Sequence, residues 1–147
     1  MGIKLKLGTS QEAIDEASRI LGVTFPRILE EIWLTSNGLE LPGGYRLYPV
    51  FDRNNPRKSW GHIVYENTQG RWSYMPKDLI SIAGGDTGNR LVLKKDIDIL
   101  GTDVYIWNHE TNKIKRRTKG LEDILAKAKK RVEKIENKIL KSRMKKR

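Results

Sequence analysis

Two histidines, His62 and His109, and no cysteine limit the chemistry open to this chain of 147 residues. Without thiols there is no disulfide framework, no cysteine nucleophile and no thiolate metal site. The two histidines do not stand at a metal-ligand spacing, and a zinc site would need carboxylates that no pattern marks. His109-Glu110 opens like the helix of a zinc protease, but Lys113 stands where a second histidine is required. The glycines of Gly84-Gly-Asp-Thr-Gly-Asn89 are of the kind that cradles a phosphate. They lack the following Lys-Ser/Thr of a P-loop and the strand–turn–helix setting of a dinucleotide site, so the segment reads as a loop between strands. No Gly-x-Ser-x-Gly elbow is present. Asp96 and Asp98 alternate with Ile97 and Ile99, and read as solvated groups rather than a catalytic pair. Catalysis has no support here, and no cofactor or metal is expected.

Aromatic side chains and charge remain. Trp33 and Trp107 lie on apolar periodicities and are expected in the core. Trp60, Trp72 and Tyr74 fall in less regular surroundings, which makes them candidate anchors of a binding surface. The formal net charge is +11, yet residues 126–147 hold eleven Lys or Arg against two Glu. The rest of the chain carries 18 basic and 16 acidic groups. A near-neutral body therefore bears a cationic extension, which is a different object from a uniformly basic domain.

The extension has a pattern. Leu121, Leu125, Ala128, Val132, Ile135 and Ile139 recur in alternating steps of four and three, with cations between them. That spacing puts the apolar groups on one side of a helix, entered near Thr118 or Gly120. Its candidate contact residues are Lys127, Lys130, Arg131, Lys134, Lys138, Lys141 and Arg143. Lys141 to Arg147 lose the stripe and are expected to fray.

Before it, Thr9-Ser-Gln-Glu12 reads as a capping box with Thr9 as the cap. Ile14, Ala17, Ile20 and Leu21 mark the first helix, with Gly22 as its left-handed stop. A second helix starts at Pro26, with Ile28, Leu29, Ile32 and Trp33 inside, and ends at Asn37-Gly38. Leu41 to Gly44 is a turn and Tyr45 to Val50 a strand limited by Pro49. A helix is expected from about Ser59 to Glu66. Strands come next at Leu79–Ala83, Arg90–Lys94 and Asp103–Trp107, with another at Lys113–Arg117. Asp96 to Gly101 is a link. The sum is an α+β domain over residues 1–125: a central, mostly antiparallel sheet of about four to six strands, an N-terminal helical hairpin and a long basic C-terminal helix. Residues 126–147 form the appendage. No stretch approaches the roughly 20 apolar residues of a membrane span. Met1 to Leu7 has no secretory pattern, so a soluble, cytoplasmic protein is expected.

The order of several degenerate motifs resembles the SUKH superfamily of fungal cell-wall assembly regulators and bacterial toxin-immunity proteins. It runs through Leu21-Gly-Val-Thr-Phe-Pro26, Ser36-Asn-Gly38 and Leu41-Pro-Gly-Gly-Tyr-Arg-Leu-Tyr48. Trp72, Pro76 to Ala83, Thr87 to Leu93, Val104 to His109 and Leu121-Glu-Asp-Ile-Leu125 come after these in the family's order. The likeness covers roughly residues 10–125. It implies a non-enzymatic, protein-binding α+β domain, an antitoxin that occludes a cognate toxin, with a partner groove beside the sheet. The candidate groove residues are Asp52, Arg53, Arg57, Trp60, Trp72, Tyr74, Asp86 and Asn89.

The charge distribution departs from that implication. An inhibitor of a nuclease gains from an acidic face, whereas this body is neutral and its tail basic. A second reading is therefore a nucleic-acid-associated or phage or ribonucleoprotein assembly module, whose tail neutralises phosphates. Self-association through the helix, or a tail with no specific partner, stands beside it.

Overall fold

The computed structural model describes residues 7–117 and 119–145, Lys145 by its backbone alone. Readings that fall on residues 1–6, on Thr118 and on residues 146–147 lie outside the described residues. The elements run α1 Gln11–Leu21, α2 Arg27–Thr35, β1 Glu40–Leu41, β2 Tyr45–Leu47, α3 Ile63–Glu66, β3 Leu79–Gly85, β4 Arg90–Asp96, β5 Ile99–Leu100, β6 Tyr105–Asn108, β7 Lys113–Arg116 and α4 Leu121–Lys145.

The strands form one sheet in the order β1-β2-β3-β4-β6-β7, with β5 paired to β4 beside that path. Every strand pair is antiparallel. The fold is α+β, as the sequence implies, because helices and strands segregate into separate runs of chain.

Two layers of side chains divide at the sheet. On its inner face Ile80, Ile82, Leu91 and Leu93 meet Ile14, Leu29, Ile32 and Trp33 of the helical hairpin, and Leu121, Ile124, Leu125 and Ala128 of α4. On its outer face Leu79, Val92 and Trp107 pack with Met75, from the segment before β3. Alternation along β3 and β4 makes this division, since successive side chains point to opposite faces. Trp33 and Trp107 are both fully buried, one in each layer. Each indole N–H is satisfied, by the Tyr48 carbonyl at 2.9 Å and by Asn112 Oδ1 at 2.8 Å.

Several details differ from the sequence reading. Ser10, not Thr9, caps α1, accepting the Ala13 N–H at 3.2 Å. Thr9 is drawn away because its hydroxyl donates to Asp52 and its backbone N–H to the Trp33 carbonyl. Pro26 is the residue before α2 rather than its first. Leu41 belongs to β1, and Leu47 to Ala83 pairing anchors the hairpin that β1 and β2 make, so only the residues between them turn. The helix expected from Ser59 shrinks to Ile63–Glu66, since Gly61 at φ 70° breaks the chain and His62 caps the short helix after it. β5, hidden in the expected link, forms because Ile97 takes a left-handed conformation at φ 57° and lets the chain fold back on β4. The expected fraying does not begin at Lys141: α4 continues through Lys145, on residues that favour helix.

The N-terminal segment reaches α2 so closely that only glycine fits at residue 8. A Cβ there would lie 1.8 Å from the Leu34 carbonyl oxygen. The approach lets Asn37 N–H reach the Leu7 carbonyl and Thr9 N–H the Trp33 carbonyl, both at 2.9 Å. Among the described residues, no helix is long and apolar enough to cross a membrane.

Candidate functional site

The chain between β2 and β3 builds the surface of interest. β2 ends at Leu47, and residues 48–62 form a loop. Asp52 organises it: Oδ2 accepts from the Thr9 hydroxyl at 3.1 Å, Oδ1 accepts from Asn54 N–H at 2.9 Å, and its own N–H reaches Ser59 Oγ at 3.0 Å. Asp52, Arg53 and Asn54 face Ser10, Glu12 and Glu16 of the α1 end across an open cleft of about 410 Å³. Arg57 projects from the same loop into solvent.

Trp60 closes the loop with 80 % of its surface exposed. Its indole stacks on Tyr65, centroids 6.2 Å apart and planes 29° from parallel. His62 links this pair to the loop: its ring lies 5.1 Å from Phe51 and 6.3 Å from Tyr65. Its Nδ1 accepts the Tyr65 N–H at 3.1 Å, the cap of α3. Burial lowers the pKa of His62 from its ordinary value, which suits the neutral, accepting imidazole.

α3 is clamped to the sheet by two buried contacts. Asn67 exchanges hydrogen bonds with the backbone of Ser81. Arg90 of β4 donates to the Glu66 carboxylate at 3.1 Å and to the carbonyls of Glu66 and Gly70, both at 2.9 Å. Desolvation pushes the Glu66 pKa up, and the Arg90 cation beside it pulls the other way. Burial likewise lowers Arg71, whose guanidinium donates to the carbonyls of Leu79 and Pro76. These cations brace the backbone and are not offered to a ligand.

A second aromatic group lies beyond this clamp. Trp72 stacks on His109, centroids 5.4 Å apart, and touches Tyr74 at 5.8 Å. Both lean on buried Trp107, at 6.2 and 5.8 Å. The Tyr74 hydroxyl donates to the His109 carbonyl. Asn89 holds His109 from the other side, with Oδ1 3.0 Å from its Nδ1 and 3.3 Å from its backbone N. Gly88 at φ 89° makes the fit, since a Cβ there would sit 3.0 Å from the imidazole. Of the run expected as a loop, Gly84 and Gly85 are strand residues paired to β2, and only residues 86–89 turn between β3 and β4, with Asp86 exposed at the tip.

The sequence candidates thus divide. Asp52, Arg53, Arg57 and Trp60 share one loop, and Trp72, Tyr74 and Asn89 meet around His109. Asp52 is engaged within its loop, and Asn89 acts through His109. Phe51 and Tyr65 are site residues that the sequence reading did not single out, and His62 and His109, weighed there only as metal ligands, enter as aromatic and hydrogen-bonding groups. The His62-x-x-Tyr65 spacing across one helical turn is the signal that was available. Among the described residues, no group of three His, Asp or Glu is gathered as a metal site. This surface offers aromatic area, hydrogen-bonding edges and a few exposed charges, the kinds of group on which interface hot spots are built.

The model of the SMI1 / KNR4 family (SUKH-1) matches residues 8–127. The chain belongs to that family. No curated protein matches it. The SUKH-1 match begins at the Gly8 contact with α2 and ends within the docked part of α4, so it spans both layers and both aromatic groups. SUKH-1 is not a known enzyme family.

Proposed function

We propose that this chain is an immunity-type binding module that neutralises a cognate protein toxin, in the cytoplasm, by occluding its working surface. The observation that carries the reading is Trp60, 80 % exposed and propped on Tyr65 in a protein whose Trp33 and Trp107 are fully buried. Leaving an indole in water forgoes burial worth roughly 1.5–3 kcal/mol for a large apolar side chain. Stacking on Tyr65 and the fold behind it also fix its orientation in advance, which lowers the entropy cost of docking.

Trp72 and Tyr74 extend the surface, with 37 % and 46 % of their area exposed. Arg53 and Arg57 at the rim supply the steering that a toxin with an acidic docking face would need. Membership of SUKH-1 supports the reading, since the resemblance implies proteins that act by binding.

The test is a toxin with a variable C-terminal domain encoded beside this gene. Co-expression is expected to rescue growth, and Trp60→Ala to weaken binding of the isolated toxin domain by about 30-fold, as for an interfacial hot spot of ~2 kcal/mol. Absence of rescue and of binding overturns the toxin reading. Rescue with unchanged affinity in the Trp60 variant overturns only the placing of the interface.

A further inference from the structure

α4 carries a feature that toxin occlusion does not use. Lys127, Lys130, Arg131, Lys134, Lys138 and Lys141 succeed one another at steps of three, one, three, four and three. At about 100° per residue these six fall within an arc of roughly 120°. All six are exposed. The acids of this stretch, Glu133 and Glu136, fall outside the arc, and the row begins one turn after Asp123. Among the described residues, none of the six is held in a salt bridge.

The body keeps this row turned outward. Leu121, Ile124, Leu125 and Ala128 are buried against the core and Val132 packs on its rim. The cations are centred about a third of a turn around the helix from that stripe, and so face water along their whole length. From Val132 onward the helix leaves the body, and Ile139, Leu140 and Met144 are exposed.

From Lys127 to Lys141 the row is about 21 Å long at 1.5 Å per residue. The two strands of a duplex together carry one phosphate for about every 1.7 Å of axis, about twelve over that length, so each of the six cations can find a phosphate on one strand or the other. We propose that α4 is a nucleic-acid-binding ridge whose six cations lie against phosphates of a duplex. Six charges of one sign in a straight line match a polyelectrolyte, whereas a protein surface rarely presents six carboxylates in register. An anionic membrane fits less well. Residues 121–147 contain no aromatic side chain, and the apolar stripe that would enter the lipid is committed to the body through Val132. The near-neutral body adds little charge of its own, so the ridge sets the long-range field.

The ridge is independent of the toxin reading and is tested without a toxin. The full chain is titrated against a labelled duplex of about 20 bp of DNA, and against the same duplex as RNA, over a fourfold range of salt. With six phosphates neutralised, the slope of log K against log salt is expected near −5, a loss of roughly 10³-fold in affinity across that range. Replacing Lys134, Lys138 and Lys141 by Gln should make the slope shallower by about 3, while Lys77, Lys113 and Lys115 replaced by Gln should leave it unchanged. The first three are exposed helix positions where Gln is well tolerated, and circular dichroism checks that α4 persists. Absence of binding to either duplex at low salt, or a slope indifferent to the ridge variant, overturns the proposal. So does equal or tighter ridge-dependent binding to polyglutamate or to vesicles containing phosphatidylserine.

Discussion

The carboxamide of Asn67 and the backbone of Ser81 pair as two strands would, through two hydrogen bonds of 2.8 Å each. β2 ends at Leu47, so the first residues of β3 have β4 on one side and no strand on the other. Asn67, at the end of α3, takes that place, and its Nδ2 also donates to the Ile63 carbonyl at 2.9 Å. Asn37 does the same for Val50, giving and taking one bond of 2.8 Å each. Two asparagines thus satisfy buried backbone groups where the sheet runs out, and one of them fixes the helix beside Trp60.

Asn67→Ala is expected to leave the buried Ser81 N–H and carbonyl unpaired and to cost about 2–4 kcal/mol. Urea unfolding measures it. Amide exchange should show protection lost first at α3 and at Ser81. A cost below about 0.5 kcal/mol would mean that α3 is held by other contacts.

His62 makes the Trp60 platform sensitive to acid. Its folded-state pKa is lowered by burial, so the folded protein binds this proton less readily than the unfolded chain. Its contribution to stability is therefore complete above the ordinary histidine range near 6.5 and is lost as pH falls below it. Protonation also removes Nδ1 as the acceptor for Tyr65 N–H. Thermal unfolding at about pH 7.5 and 5.5 should show a destabilisation that shrinks in His62→Asn, which keeps a cap without a titrating group. Equal pH dependence in the two proteins would place the effect elsewhere.

Gly8→Ala drives a Cβ into the Leu34 carbonyl and must lift the N-terminal segment off α2. A loss of about 3 kcal/mol or more is expected, with the Leu7 and Thr9 backbone bonds broken. Gly101→Ala is the control: its nearest neighbour would be the Lys94 carbonyl oxygen at an ordinary 3.8 Å, and a change within about 0.5 kcal/mol is expected.

The boundary of the body is best drawn on α4 by packing. Ala128 is buried and Val132 still rests on the core. Removing residues 133–147 is expected to leave unfolding free energy within about 0.5 kcal/mol of the full chain, whereas removing residues 126–147 also strips Ala128 and Val132 and should cost about 1–2 kcal/mol more. Equal stability of the two truncations would restore the boundary to residue 125.

Gly88→Ala should disturb the second aromatic group alone. Its φ of 89° and a Cβ 3.0 Å from the His109 ring predict a loss of about 1–2 kcal/mol and a displaced imidazole. The His109 ring signals in NMR report the displacement, and Trp60 fluorescence should stay as it is.

Periodicity alone determined where α1, α2, β3, β4, β6 and α4 lie, and that Trp33 and Trp107 are core. Each of these rests on a pattern several residues long, which local chemistry writes directly into the chain. Composition determined the contrast between a neutral body and a cationic helix, and the row from Lys127 to Lys141 is fixed by spacing once the segment is helical. Tertiary structure decided the rest. Thr9 resembles a cap in sequence, but Asp52, far along the chain, claims its hydroxyl. β1 and β5 are two residues each, too short for any alternation to show, and exist because β2 and β4 offer them partners. His109 became a site residue only when the distant segment holding Trp72 and Tyr74 brought its rings within stacking distance. Such contacts depend on separations in space, and those are set by how the sheet is covered rather than by neighbouring residues.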